Sequence, residues 1–222
     1  MKVLIYIAVI VGAYMLGNVN NAVIISKLKG KDIRTLGSGN PGTMNMRRNF
    51  GFKIAFLTMV LDALKGFLPS ILGQWIIGRW VLNERFSYFN NNIGTYIGAL
   101  AAIIGHIFPV MYKFKGGKGI ASSIGVGFAF HPVVALISFV VGFTFMTFTS
   151  MGSVTSFIVI TPAFIYELFK LYGSGQIAAQ ILVFSLFFLT LFCHRKNLVK
   201  LFAGTESKTQ VLNKGKKKEK AV

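Results

Sequence analysis

Apolar runs long enough to cross a bilayer set the layout of this chain. A spanning helix needs roughly 17–25 mainly apolar residues, and such runs occupy residues 3–25, 54–77, 93–112 and 176–193. A longer apolar tract, residues 120–170, must hold more than one helix. His131-Pro132 interrupts it, because proline lacks an amide donor and disfavours helical geometry in the residue before it. The Ser150-Met151-Gly152-Ser153 cluster reads as a turn. The tract therefore divides into helices at 120–130, 133–149 and 154–170, seven in all.

The distribution of charge orients these helices. Short loops rich in lysine and arginine stay on the cytosolic side, and the connection from Lys27 to Lys53 holds Lys29, Lys31, Arg34, Arg47 and Arg48 against Asp32. That loop is expected inside and the N-terminus outside. The connection with Arg79, Glu84 and Arg85 then lies outside, while Lys113 to Lys118 returns inside. Lys214, Lys216, Lys217, Lys218 and Lys220 put the C-terminus in the cytosol, which requires an even number of later crossings. The break at His131-Pro132 supplies it. The expected fold is an all-α membrane protein, a bundle of seven transmembrane helices with glycine-rich cytosolic loops. Residues 1–204 form one domain, and 205–222 form a basic, disordered cytosolic tail.

Composition sharpens one point. The 24 basic residues against 6 acidic ones, a formal charge of +18, fit either nucleic acid or the anionic face of a membrane. A mean hydropathy of +0.63 decides for the membrane and against nucleic acid. The first apolar run continues past the length of a signal core without an A-x-A cleavage site, so it is read as a retained helix. Cys193 is the sole cysteine and lies in an apolar run, which excludes an internal disulfide.

Under this topology the unusual polar clusters all fall at one face. GSGNPGTMNMRRNFG, residues 37–51, combines four glycines with hydroxyls, amides and Arg47-Arg48. Such a loop brings backbone donors and guanidinium forks close to a phosphate. FKGGKG, residues 114–119, precedes a helix, whose positive end would join Lys118 in holding an anion. It is no nucleotide-binding loop, since Lys118 is followed by Gly119. Ser153 falls in a short turn at the same face. His194 and Asn197 begin the tail three residues apart, on one helical face. Inside the second helix, Asp62 and Lys65 are spaced for an ion pair, and His106 is read as a structural hydrogen-bonding residue.

Taken together, GSGNPG-x2-N-x2-R, D-x2-KG, GH-x-FPV-x3-FKGGKG, MGSV and HRKN resemble the bacterial acyl-phosphate:glycerol-3-phosphate acyltransferases, the PlsY family, over residues 16–206. The resemblance implies seven helices and transfer of a fatty acyl group from acyl phosphate to the 1-hydroxyl of glycerol 3-phosphate. The products would be lysophosphatidate and phosphate, the first acylation of phospholipid synthesis. It implies catalytic roles for Ser38, Arg48, Lys118 and His194, and substrate binding by Asn40, Asn45, Gly116, Gly117, Gly119, Ser153 and Asn197. The expected setting is the bacterial plasma membrane with the site facing the cytosol, and the acyl-phosphate-producing enzyme is an expected associate. One departure stands out: the family usually reads GATN or GTTN where this chain has Gly42-Thr43-Met44-Asn45, so a hydroxyl is missing at Met44.

An acyl phosphate is already an activated mixed anhydride, so positioning and charge neutralisation suffice and no covalent acyl-enzyme is required. His194 is expected at the surface, as a proton acceptor or a phosphate ligand, with the departing phosphate as the alternative proton acceptor. The H-x4-D pair of other acyltransferases is absent, because Met111, Leu136 and Val199 stand five after His106, His131 and His194. No metal or cofactor is expected, for want of a carboxylate cluster. Two rival readings are an organic-phosphate transporter and a catalytically idle interaction protein.

Overall fold

The computed structural model describes residues 1–88 and 90–205; the tail expected to be disordered lies almost wholly outside the described residues. Among them the regular elements are all helical. α1 (Lys2–Asn18) and α2 (Asn21–Leu28) are two parts of the first apolar run, separated at Val19, and the Asn20 carboxamide oxygen caps α2 by accepting the Val23 amide at 3.1 Å. α3 (Thr43–Ile77) starts well before the apolar run at residue 54. Its first turns hold Arg47 and Arg48, so the second half of the glycine-rich cluster, expected as a loop, is helical. Gly51, at φ 82°, bends the chain between those turns and the apolar length. Only glycine takes that conformation without steric cost.

α4 (Ile93–Ile107) is the central helix, packed against α1, α3, α5 (Ile120–Phe130) and α8 (Ile177–Cys193). α6 (Pro132–Thr149) and α7 (Gly152–Leu171) form a pair beside α5. His131-Pro132 separates α5 from α6 as the sequence predicts, with Pro132 at the first helical position and the His131 ring accepting the Val134 amide. α9 (Arg195–Phe202) ends the described chain.

Lipid offers no hydrophobic drive for helices to associate, so they pack through small residues that let backbones approach. Gly17 of α1 and Gly105 of α4 lie against each other, and a Cβ on Gly105 would collide with the Tyr14 carbonyl. Gly66 and Gly125 do the same for α3 and α5, against Ser122 and Ala63.

Five helical segments are long and apolar enough to cross a membrane, or six if α8 and α9, bent by 54°, count as one. α5 is apolar but has only 11 residues. At about 1.5 Å per residue it falls short of a hydrocarbon core of about 30 Å. The chain is an integral membrane protein built of several apolar helices.

Candidate active site

The N-terminal turns of α3, α5 and α7 meet the C-terminal end of α8 at one end of the bundle, around a cavity of about 310 Å³. Its polar wall includes Ser38, Asn40, Arg47, Arg48, Lys118, Ser153, His194, Asn197 and Lys200. Its apolar wall is built by Phe52, Phe56, Met59, Phe139, Phe143, Met146 and Val159. Among the described residues the one carboxylate on the lining, Asp62, is engaged with Lys65 at 3.0 Å and receives the Asn21 amide at 2.9 Å. Lys65 also donates to the Val19 carbonyl at 2.6 Å. The pair therefore cross-links α3 to the α1–α2 break, the structural bridge expected from spacing.

Each sequence cluster arrives by its own local route. Asn45, expected to bind substrate, is 2% exposed and does not line the cavity. Its amide donates to the Ile33 and Leu36 carbonyls at 3.2 and 2.9 Å, and its oxygen accepts the Ser38 amide at 3.3 Å. Asn45 folds the loop that presents Ser38 and Asn40. Gly116 and Gly117, expected to offer amides to phosphate, donate them instead to the Ile107 and His106 carbonyls at 3.1 and 3.2 Å. Those bonds pin the loop onto the end of α4. Lys118 and Gly119 do reach the cavity, and Gly119, at φ 89°, turns the chain into α5.

Lys118 donates to the Asn197 carboxamide oxygen at 2.6 Å, tying the glycine-lysine loop to α9. Ser153 lies in the first turn of α7 rather than in a free turn. His194, expected at the surface, is 3% exposed. α7 packs on α9, and Phe157 meets the His194 ring edge-on at 5.8 Å. Its Nδ1 is 3.1 Å from the Thr190 carbonyl. A carbonyl only accepts, so Nδ1 carries the proton and Nε2 of the neutral ring keeps its lone pair. His194 stands just beyond α8, and burial lowers its pKa to about 4, opposed by the Thr190 bond and reinforced by the charge of Lys118.

Two residues read as structural also reach the lining. Asp62 does so beside its partner, and His106 does so while its ring underlies Gly117. His106 Nδ1 has no hydrogen-bond partner among the described residues, while its backbone carbonyl accepts the Gly117 amide. Met44 and Thr43 both line the cavity, and the Met44 methyl lies beside Gly152.

The sequence model of the glycerol-3-phosphate acyltransferases matches residues 7–204. The chain belongs to that family. A glycerol-3-phosphate acyltransferase of Thermoanaerobacter pseudethanolicus is 38% identical over 204 residues, covering 88% of this chain and 91% of its own. One from Aquifex aeolicus is 37% identical over 202 residues, covering 89% and 95%. The fold agrees with the crystal structure of PlsY, an integral membrane glycerol 3-phosphate acyltransferase, in its glycerol 3-phosphate form. The TM-score is 0.74, with 32% identity, covering 92% of this chain and 95% of that one. The lysophosphatidic acid form of PlsY gives 0.72, again at 32% identity, covering 91% and 94%.

Within this acyltransferase family member, the lining residues that sequence reading did not single out include Thr155, Ser156, Lys200 and the aromatic wall. Arg47, named with Arg48 in the glycine-rich cluster, does reach the lining. The aromatic wall left no signal, since phenylalanines at helical spacing read equally as lipid-facing surface.

Proposed function

We propose that this chain is an acyl-phosphate:glycerol-3-phosphate O-acyltransferase of a bacterial plasma membrane. It crosses the bilayer seven times with its N-terminus outside, and residues 1–204 form the catalytic domain with the cavity open to the cytosol. Counting α5 as a short crossing and α9 as lying outside the bilayer gives that number. The reading rests on one observation: a cation-lined pole and an aromatic and aliphatic wall share a single cavity. A phosphate-bearing head and a hydrocarbon tail need that combination.

Arg48, Lys118 and neighbouring Arg47 hold the two phosphates and offset their mutual repulsion, which is worth more in a dry site than in water. Ser38 and Asn40 supply hydrogen bonds from the loop folded by Asn45. Ser153, at the start of α7, faces the same anions. The acyl chain lies along Phe139, Phe143, Met146 and Val159. The 1-hydroxyl oxygen attacks the acyl carbonyl carbon, the bond from that carbon to the phosphate oxygen breaks, and inorganic phosphate departs. His194 Nε2 first accepts a hydrogen bond from the 1-hydroxyl and positions its oxygen; as attack proceeds the O–H turns to an oxygen of the leaving phosphate, which takes the proton. A ring with so low a pKa is a weak base but a good neutral acceptor. Asn197 holds the Lys118 ammonium in place.

The deciding measurement uses purified protein with both substrates. Phosphate release from acyl phosphate that requires glycerol 3-phosphate, with lysophosphatidate formed in equal amount, is expected. Counterflow of glycerol 3-phosphate in vesicles without acylation would replace this reading with transport.

A further inference from the structure

α9 makes an angle of 54° with α8, so the chain turns aside as it leaves the last apolar helix. Three cations in eight residues keep α9 out of the hydrocarbon core. Asn197, Leu198 and Leu201 are half-buried, while Arg195, Lys196, Val199, Lys200 and Phe202 are exposed. At about 100° per residue, Phe202, Arg195 and Val199 form one arc, bordered by Lys196, with Lys200 between that border and the cavity-side Asn197. Phe202 is 86% and Val199 68% exposed. Exposed apolar side chains interleaved with cations on one arc suit a helix lying in the plane of a lipid surface, and the cations select an anionic one. Arg195 marks the level independently: its guanidinium lies over the ring of Phe192 at 4.2 Å and donates to the Phe192 carbonyl. Phe192 is the last exposed ring of α8. The cations of α9 therefore sit where apolar surface gives way to headgroups.

The opposite side of the same helix reaches the cavity, where Asn197 receives the Lys118 ammonium and Lys200 joins the lining. We propose that α9 docks on the anionic phospholipid of the leaflet beside the site, and that this docking holds Asn197 on Lys118. Membrane surface charge thereby tunes turnover. The coupling rests on the acyltransferase reading, whereas the docking does not.

Both parts are testable in the full chain reconstituted into phosphatidylcholine alone or mixed with phosphatidylglycerol. At saturating glycerol 3-phosphate, kcat is expected to rise roughly fivefold in the mixed bilayer, the factor equivalent to about 1 kcal/mol from one basic residue at the surface. Arg195→Gln/Lys196→Gln, which alters neither a lining residue nor the Lys118 contact, is expected to keep the neutral-bilayer rate and lose the rise. A wild type indifferent to lipid charge, or a double variant that still responds, overturns the coupling. Docking is read separately from the depth of a spin label in Cys193→Ala/Phe202→Cys. Immersion at headgroup depth in mixed bilayers, and a shift towards water when Arg195 and Lys196 are also neutralised, is expected. A label in water in both bilayers overturns the docking even if the protein is active. A label at depth in a protein without turnover would instead set aside the acyltransferase reading.

Discussion

The two ends of this bundle both bury polar side chains, yet they are built to opposite effect. At the end away from the cavity, Glu167 is fully buried between α4, α5 and α7. One of its oxygens accepts the Tyr96 hydroxyl at 2.6 Å and the Asn91 amide at 3.0 Å, and Asn91 also holds the Phe130 carbonyl. Nearby, Gln74 donates to the Ser87 and Asn90 carbonyls. The hydrogen bonds these groups make join helix ends to one another, while Glu167 Oε2, Asn91 Oδ1 and Gln74 Oε1 make none among the described residues. At the cavity end, Arg47, Arg48, Lys118 and Lys200 are gathered on one lining where, among the described residues, the one carboxylate is engaged by Lys65. Polar residues at membrane depth are therefore not by themselves a site. Like charge collected around a cavity is the distinguishing feature, because such a setting favours a bound anion.

Removing a cation from the cavity should separate the ends most sharply. Arg48→Ala or Lys118→Ala is expected to lower kcat/KM by roughly a hundredfold or more, as loss of one preorganised charge in a dry site does. Folded yield in detergent should stay near wild type; normal kinetics in either variant would take that residue out of the site. At the other end, Glu167→Ala strands the Tyr96 hydroxyl and the Asn91 amide. The expected cost is about 1–3 kcal/mol of stability, visible as a lower thermal midpoint. Turnover per folded molecule should be unchanged, and a selective loss of kcat in a stable Glu167→Ala protein would break the contrast between the ends.

How far the sequence discloses these ends follows from the kind of signal each leaves. Apolar length located the helices, and proline at 132 located the break that length alone misses. Length did not find the start of α3, because Asn45, Arg47, Arg48 and Asn49 carry no apolar period, and their helicity comes from tertiary bonds such as those of Asn45. Motif residues converged on one end of the molecule, since Ser38, Asn40, Arg48, Lys118, Gly119, Ser153, His194 and Asn197 share one lining. Residue type did not reveal which groups face inward. Asn45, Gly116 and Gly117 have donors suited to phosphate, but those donors are consumed by backbone carbonyls that lie close only in the folded chain. The burial of His194 escaped for the same reason: Phe157 comes from a different helix.

Met44 tests a finer difference within the cavity end. Its methyl occupies lining beside Gly152 where relatives were expected to carry a hydroxyl. Met44→Thr exchanges packing for one hydrogen bond of about 1 kcal/mol. A change in kcat/KM of about fivefold or less, in the direction of gain, is expected from steady-state kinetics. A gain of several hundredfold would mean that the natural chain is nearly idle.

The smallest expected effect bears on His194, where the comparison predicts a flat response. Its pKa in the folded protein is lowered to about 4 from an ordinary 6.5, chiefly by burial. The neutral ring is then present throughout the range above pH 5, and its function is lost only as pH falls through the folded value. A solvent-exposed histidine acting as general base would instead make kcat fall about tenfold per pH unit below its ordinary pKa. The profile of kcat at saturating substrates should thus show no limb near 6.5. Stability follows the same sign: the unfolded chain takes up the proton more readily, so this residue's contribution is full above 6.5 and declines as pH falls towards 4. His194→Gln, which has an acceptor and no titration, should retain part of kcat and leave the shape of the profile unchanged. A wild-type limb near 6.5 that vanishes in this variant would show that the ring is solvated and titrates during turnover, and proton transfer would then be reassigned from the leaving phosphate to His194.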